Sequence, residues 1–256
     1  MTPEYGERGI VGVLMPPANP TVEPELSVLL GPDMAVLAAR LVCRFNGDRD
    51  RPVDYLESLD TTLEAFGNAP LQVVGFGITS STYLVGCARE AEILERIQAR
   101  RSYPVVTAAQ AVESALKALG ARKLALLSPY PKWMTDAGVA HWRGRGFEVM
   151  QVLQLGELRA DTSGIYALGS GAAIEAAAEV RDADAVLITG TGMPSLAALN
   201  RLNGPGRVPV ISSNLCLAWS MDAVLRGGDL ASWLAADAPW RGRLAQMFPA
   251  ALRRVK

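Results

Sequence analysis

Histidine occurs once in this chain of 256 residues, and cysteine three times. That scarcity removes whole classes of chemistry. The lone histidine, His141, stands in DAGVAHWRGRGF, where helical spacing runs into a Gly-rich turn. A Ser-His-Asp triad needs its base beside a loop nucleophile, and a catalytic metal needs several clustered ligands, so neither is expected. His141 is placed at the surface or at a helix C-terminus, where its charge would favour the dipole. Cys43, Cys87 and Cys216 are far apart and show no CxxC spacing. This argues against a disulfide framework and a zinc site, and suits a reducing, cytoplasmic location. Each is expected to be a small core residue. Charge of one sign is lacking too: 25 Lys and Arg stand against 26 Asp and Glu, for a formal net charge of -1. Nucleic acid and anionic membranes need a basic field that is not there. No apolar run approaches the roughly 20 residues of a membrane span, and MTPEYGERG does not open like a leader. Nucleotide motifs fail as well, since GTGMPS has no following lysine and no GxGxxG joins a first strand to a helix. The expectation is metal-free, cofactor-free chemistry on a small partner.

What is present is apolar surface: half of the residues are hydrophobic, enough for a large core. It comes in short runs: IVGVLM (10–15), MAVLAARLV (34–42), LQVVGFG (71–77), PVVT (104–107), KLALLS (123–128), FEVMQVL (147–153), DAVLIT (184–189) and VPVIS (208–212). Runs of this length suit strands buried on both faces, and the segments between them suit crossover helices. Alternating strand and helix predicts a parallel α/β sheet. The two halves of the chain overlay at an offset of about 105 to 113 residues, a spacing that implies a duplicated domain. LMPPANPTV then lies opposite LSPYPKWMT, GFGITSSTYL opposite LITGTGMPSL, and YPVVTAAQAV opposite VPVISSNLCL. The fold class that follows is α/β, with two pseudo-symmetric, doubly wound parallel-sheet halves and the site between them. Residues 1–107 form the first half and 108–212 the second. The segment 213–256, with one or two Trp-bearing amphipathic helices, is expected to pack back on the first half or on a sister subunit in a homo-oligomer.

In open parallel sheets, ligands sit outside the carboxyl ends of the strands, and all six loops in the overlay lie at such ends. Hydroxyls and amides gather there: Asn19, Thr21, Thr79, Ser80, Ser81, Thr82, Tyr130, Thr189, Thr191, Ser212, Ser213 and Asn214. GITSS and GTGMPS each run into a helix N-terminus, where backbone N–H groups and hydroxyls can hold an anion. The same residues are also good caps and turn formers. Tyr130, stiffened between Pro129 and Pro131, could donate to an oxyanion or serve as an acid, or simply pack. Asn19 could bind a carboxylate or form an Asx-turn. Glu23 and Glu25 fall in a first helical turn and are given no catalytic role.

Taken in order, PPANPTVEPE, GFGITSSTYLVG, SPYPKW, LITGTGMPSL and VPVISSNLCLAW resemble the aspartate/glutamate racemase superfamily, and within it the maleate isomerase and arylmalonate decarboxylase branch. The resemblance spans roughly residues 8–227. It implies a two-domain, cofactor-independent enzyme acting on a small mono- or dicarboxylic acid. By that likeness Thr79, Ser80, Tyr130 and Thr191 fall where the decarboxylases hold a carboxylate and its enediolate. Asn19 and Asn214 match positions that hold substrate in the isomerases; Ser81, Gly192 and Ser213 are taken as binding residues beside them. The family carries a cysteine at the third-strand loop of one or both halves, and here Ile78 and Gly190 stand at those places. Without thiols, two-base racemisation and thiolate addition to a double bond lose their reagents, because Ser and Thr hydroxyls are not activated alone. The expected function is a decarboxylase-like lyase or an isomerase, with Tyr130, Thr79 and Ser80 as catalytic residues. Two alternatives stand beside it: an amide or cyclic-imide hydrolase using a hydroxyl-positioned water, and a carboxylate-binding protein without turnover.

Overall fold

The computed structural model describes residues 4–157 and 161–255. The chain opens with β1 (Gly9–Met15), α1 (Val22–Leu30) and β2 (Met34–Arg40). It continues through α2 (Asp50–Glu57), the short α3 (Leu59–Thr62) and a 3-10 turn (Leu63–Phe66) into β3 (Val73–Phe76). Next come α4 (Ser80–Val85), α5 (Cys87–Gln98), β4 (Val105–Thr107) and α6 (Ala108–Ala118). The pattern then repeats as β5 (Lys123–Ser128), α7 (Lys132–Gly144), β6 (Glu148–Gln154) and a 3-10 turn (Ser163–Ala167) before α8 (Ser170–Ala177). It ends with β7 (Ala185–Ile188), α9 (Leu196–Leu202), β8 (Val210–Ser212) and α10 (Ser213–Arg226). Three short helices follow, α11 (Leu230–Leu234), α12 (Pro239–Met247) and α13 (Pro249–Arg253).

The strands form two parallel sheets of four, ordered β2-β1-β3-β4 and β6-β5-β7-β8. One topology is used twice, as the internal overlay predicts. In the first sheet Val11 lies between Val36 and Val73; in the second Leu124 lies between Val149 and Ala185. Central strands are apolar on both faces because helices cover both: Val11, Val13, Leu14, Val73, Val74 and Phe76 are all fully buried. Edge strand β6 departs from this and leaves Met150 and Val152 exposed.

The core joins the halves. α10 leaves the second sheet at β8 and packs on α6 and on α1 and β3 of the first half. Its approach needs Gly75, where an added Cβ would lie 2.6 Å from the Met221 sulfur. α12 continues the wrap, with Arg243 donating to the Val28 and Leu29 carbonyls at the C-terminus of α1 at 2.6 and 2.7 Å.

Two expectations change here. β2 stops at Arg40, so Cys43 lies beyond the strand in a polar segment and is only half-buried. Cys87 opens α5 and is also half-buried, which leaves Cys216, inside α10, as the core cysteine.

Candidate active site

The carboxyl ends of β1, β3, β5 and β7 converge, and their loops are bonded across the interface between the sheets. Asn19 follows β1 and does two jobs. Its Oδ1 accepts from the Thr21 and Val22 backbone N–H groups at 2.9 and 3.2 Å, the Asx-turn that starts α1. Its Nδ2 donates to Thr191 Oγ1 at 3.2 Å. Thr191 in turn donates to the Gly77 carbonyl at 2.8 Å, and Thr21 Oγ1 donates to the Gly192 carbonyl at 2.6 Å. Each half thus fixes the loop of the other.

The loops differ in how their hydroxyls are used. At the ends of β4 and β8, Thr107 and Ser212 accept from the backbone N–H groups of Gln110 and Leu215, so these hydroxyls are ordinary N-caps. Thr79 occupies the N-cap position of α4 but makes no such bond. Its hydroxyl shares a 2.8 Å hydrogen bond with Tyr130 Oη from the other half. A residue suited to capping has been turned toward the site, and the first turn of α4 keeps no side-chain cap.

Tyr130 is held from several sides. Its N–H donates to Ser128 Oγ at 3.3 Å, and its carbonyl accepts from Gln154 Nε2 at 2.9 Å and from Thr135 Oγ1 at 3.2 Å. Flanking prolines stiffen the same turn. Burial, opposed by the Thr79 hydrogen bond, pushes the phenol up to about 12, so it is protonated at neutral pH.

A cavity of about 150 Å³ opens at this point. Asn19, Ser80, Tyr130, Thr191 and Gly192 line it, together with Ile78 and Met134. Thr79 stands behind Tyr130, fully buried. Ser81, Ser213 and Asn214 lie deeper than the lining residues. Ser81 and Ser213 are fully buried, and their hydroxyls find no partner among the described residues. Asn214 Nδ2 donates to the Thr191 carbonyl at 3.1 Å and to Glu25 Oε2 at 2.8 Å, while its Oδ1 is buried without a partner among the described residues.

Several residues that sequence reasoning passed over belong to this region. Asp48, Arg51 and Tyr55 reach the cavity from the β2–α2 segment and the start of α2, and Thr162, Ile165 and Tyr166 from the turn before α8. The overlay used loops after the first, third and fourth strands of each half, and so missed the charged stretch RFNGDRDRP after β2. Glu25 lies in the first turn of α1, as expected, and is buried there. It caps α9 from the opposite half, accepting from the Ser195 and Leu196 N–H groups, and also accepts from Asn214 and the Ser195 hydroxyl.

Residues 11–232 match the profile of the arylmalonate decarboxylase family. The chain belongs to this family. Maleate isomerase from Nocardia farcinica is 28% identical over 238 residues, covering 86% of this chain and 90% of that protein. The maleate isomerase of Pseudomonas putida is 23% identical over 228 residues, with 82% and 89% covered. Among solved structures, a Pseudomonas putida maleate isomerase with maleate superposes with a TM-score of 0.75 at 24% identity, covering 85% of this chain and 92% of that one. Arylmalonate decarboxylase superposes with a TM-score of 0.71 at 23% identity, covering 86% and 93%.

In this member of the arylmalonate decarboxylase family, no thiol lines the cavity among the described residues. Ile78 is 7% exposed and faces the cavity. Gly190 has φ +84°, and a Cβ there would lie 3.0 Å from Tyr130 Oη and 3.1 Å from Cζ. Tyr130 therefore fills the space into which a side chain at position 190 would grow. His141 takes the helix C-terminal place expected of it, but not as an exposed charge. It lies in the last turn of α7, but half-buried, with Tyr83 and Trp142 ring centroids at 5.0 and 4.7 Å and Cys87 Sγ 3.7 Å from Nδ1. Burial, aided by the Arg145 charge, lowers its pKa to about 4, so it is neutral near pH 7 and stands apart from the cavity lining.

Proposed function

We propose that this protein is a cofactor-independent, decarboxylase-like lyase of small malonate-type acids. The observation that carries the reading is the Thr79–Tyr130 hydrogen bond between the halves, at a 150 Å³ cavity without a thiol in its described lining. One carboxylate of the substrate is held by the Ser80 and Tyr130 hydroxyls. The geminal carboxylate faces the apolar wall at Ile78 and Met134, where desolvation favours loss of its charge as carbon dioxide. The C–C bond breaks, its electron pair enters the held carboxylate, and an enediolate forms within reach of hydroxyl donors. Tyr130 then delivers its proton to the carbanionic carbon. An enediolate carbon is far more basic than a phenolate, so a phenol raised to about 12 is acid enough. The phenolate, stabilised by Thr79, regains a proton from water. Net, one acid and one proton give carbon dioxide and a monocarboxylate with one fewer carboxyl group.

Loss of the thiols favours this step over cis-trans isomerisation, which by thiolate addition needs a nucleophile that Ser80 and Thr79 cannot supply without an activating base. The test is a panel of substituted malonates followed by NMR in deuterated buffer. Carbon dioxide release with one deuterium placed at the α-carbon supports the reading. Binding without turnover across the panel would assign the chain to carboxylate binding, and release of ammonia from amides or imides would assign it to hydrolysis.

A further inference from the structure

One full positive charge on the cavity wall takes no part in that reaction. Arg51 lies in the first turn of α2 and is the one cation among the described residues that line the cavity. Its side chain is 39% exposed and pairs with Asp48, also on the wall. A guanidinium carries five N–H donors, and this bond uses one of them. The other four make no hydrogen bond among the described residues. Arg51 also stands on a concave wall beside Tyr55 and Tyr166, where low-dielectric surroundings focus a charge that open solvent would screen. The hydroxyl hole already supplies hydrogen bonds to one carboxylate, so this cation answers to a different group.

We propose that Arg51 is a specificity residue that receives a second anionic group on the substrate. The acid handled here then ends its substituent in a carboxylate, besides the carboxylate held at Ser80 and Tyr130. This rests on the lyase reading of the site and narrows it. Arg51 cannot hold the departing carboxylate without stabilising the ground state against loss of that charge, so it binds one that is kept. A cavity of this size holds about as many atoms as a six-membered ring, with the open mouth taking a little more. The product that fits is a short dicarboxylate of about four carbons, and the substrate is that skeleton with one further geminal carboxylate.

Binding reads this without turnover. Titration calorimetry compares succinate with its near-isosteric monoamide, succinamate, on wild type and Arg51→Gln. Wild type is expected to bind succinate about tenfold or more tightly, the scale of a charge-assisted bidentate contact, and Arg51→Gln to lose that preference while still binding succinamate. Equal affinity of wild type for the two ligands overturns the assignment, as does a variant that loses both equally. Turnover is read separately, with carboxymethylmalonate against methylmalonate: Arg51→Gln should lower kcat/KM for the first by about tenfold or more beyond any loss on the second. If succinate preference depends on Arg51 but neither malonate is consumed, the anion receptor stands and the lyase reading falls.

Discussion

Tyr130 shows how much one side chain can be asked to do. Removing its hydroxyl deletes the proposed oxyanion donor and the proposed acid together, so Tyr130→Phe should lower kcat by at least 10² to 10³, the scale of about 3 to 4 kcal/mol for one such donor. Wild-type turnover by the variant would refute its role. The pH profile separates a phenol from a thiol. With the phenol up at about 12, Tyr130 stays protonated through the alkaline range, so kcat/KM should hold from pH 7 to about pH 10. A thiol acid would show a falling limb near its ordinary value of about 8.5. Gly190→Ala tests the space beside it. The φ of +84° costs a non-glycine residue about 1 to 2 kcal/mol, and the new Cβ at 3.0 Å must push Tyr130 Oη aside, so both Tm and turnover should fall. Tyr130 itself was legible in the sequence from its prolines and its strand end. Its bond to Thr79 was not, because residues 51 apart meet only when two halves close on each other.

At the scale of elements, the same residue types divide into caps and site groups according to what faces them. Thr107 and Ser212 cap their helices; Thr79 and Thr21 occupy equivalent positions and send their hydroxyls across the interface instead. Local sequence cannot tell these apart, since a Thr before a helix reads alike in each case, and only the overlay of the halves pointed to the third-strand loops. Glu25 shows the converse. Its place in the first turn of α1 suggested only a favourable interaction with that helix's own dipole, but α9 of the other half presents an N-terminus that takes it as an acceptor. Burial pushes its carboxyl up against the hydrogen bonds from Ser195, Asn214 and Leu196 that pull it down. Glu25→Ala would leave the Ser195 N–H, the Leu196 N–H and the Asn214 amide buried without their acceptor. At about 1 kcal/mol or more for each, urea unfolding should show a loss of roughly 3 kcal/mol or more. A loss below about 1 kcal/mol would mean that water reaches these donors. A second element-level test uses His141 on α7. Its pKa is lowered from 6.5 to about 4, so folding is favoured above pH 6.5 and loses that contribution as pH falls toward 4. Wild type should therefore lose up to about 3 kcal/mol more than His141→Gln across that window.

The whole molecule turns a duplicated sequence into one cooperative body. The eight strands and the duplication of the two halves were readable from apolar runs and their offset, whereas the order of strands within each sheet was not, because an apolar run marks a strand without naming its neighbours. The return of segment 213–256 onto the first half or a sister subunit was expected from its apolar periodicity, but not which strands and helices α10 would meet, since a helix pattern says which face is apolar and not what covers it. That wrap joins the halves energetically. One buried cluster includes Val22 and Leu26 of the first half with Leu124 and Leu199 of the second, and α10 contributes Leu215, Leu217 and Met221 to it. The first sheet is covered in part by α10, which enters from the end of the second sheet. Thermal unfolding should therefore be a single transition, with near-UV and far-UV circular dichroism coincident and one calorimetric peak. A bound dicarboxylate should raise that transition as a unit, by about 2.7 kcal/mol in stability at 100 times its Kd. The sharper test is the fragment 1–120, which keeps β1 to β4 but lacks the helix whose Leu217 and Met221 lie against Gly75 of β3. Its exposed β3 face should leave it without a cooperative transition or dispersed amide signals. A fragment that folds by itself would show that the first sheet carries its own stability, and that α10 closes the site without holding the body together.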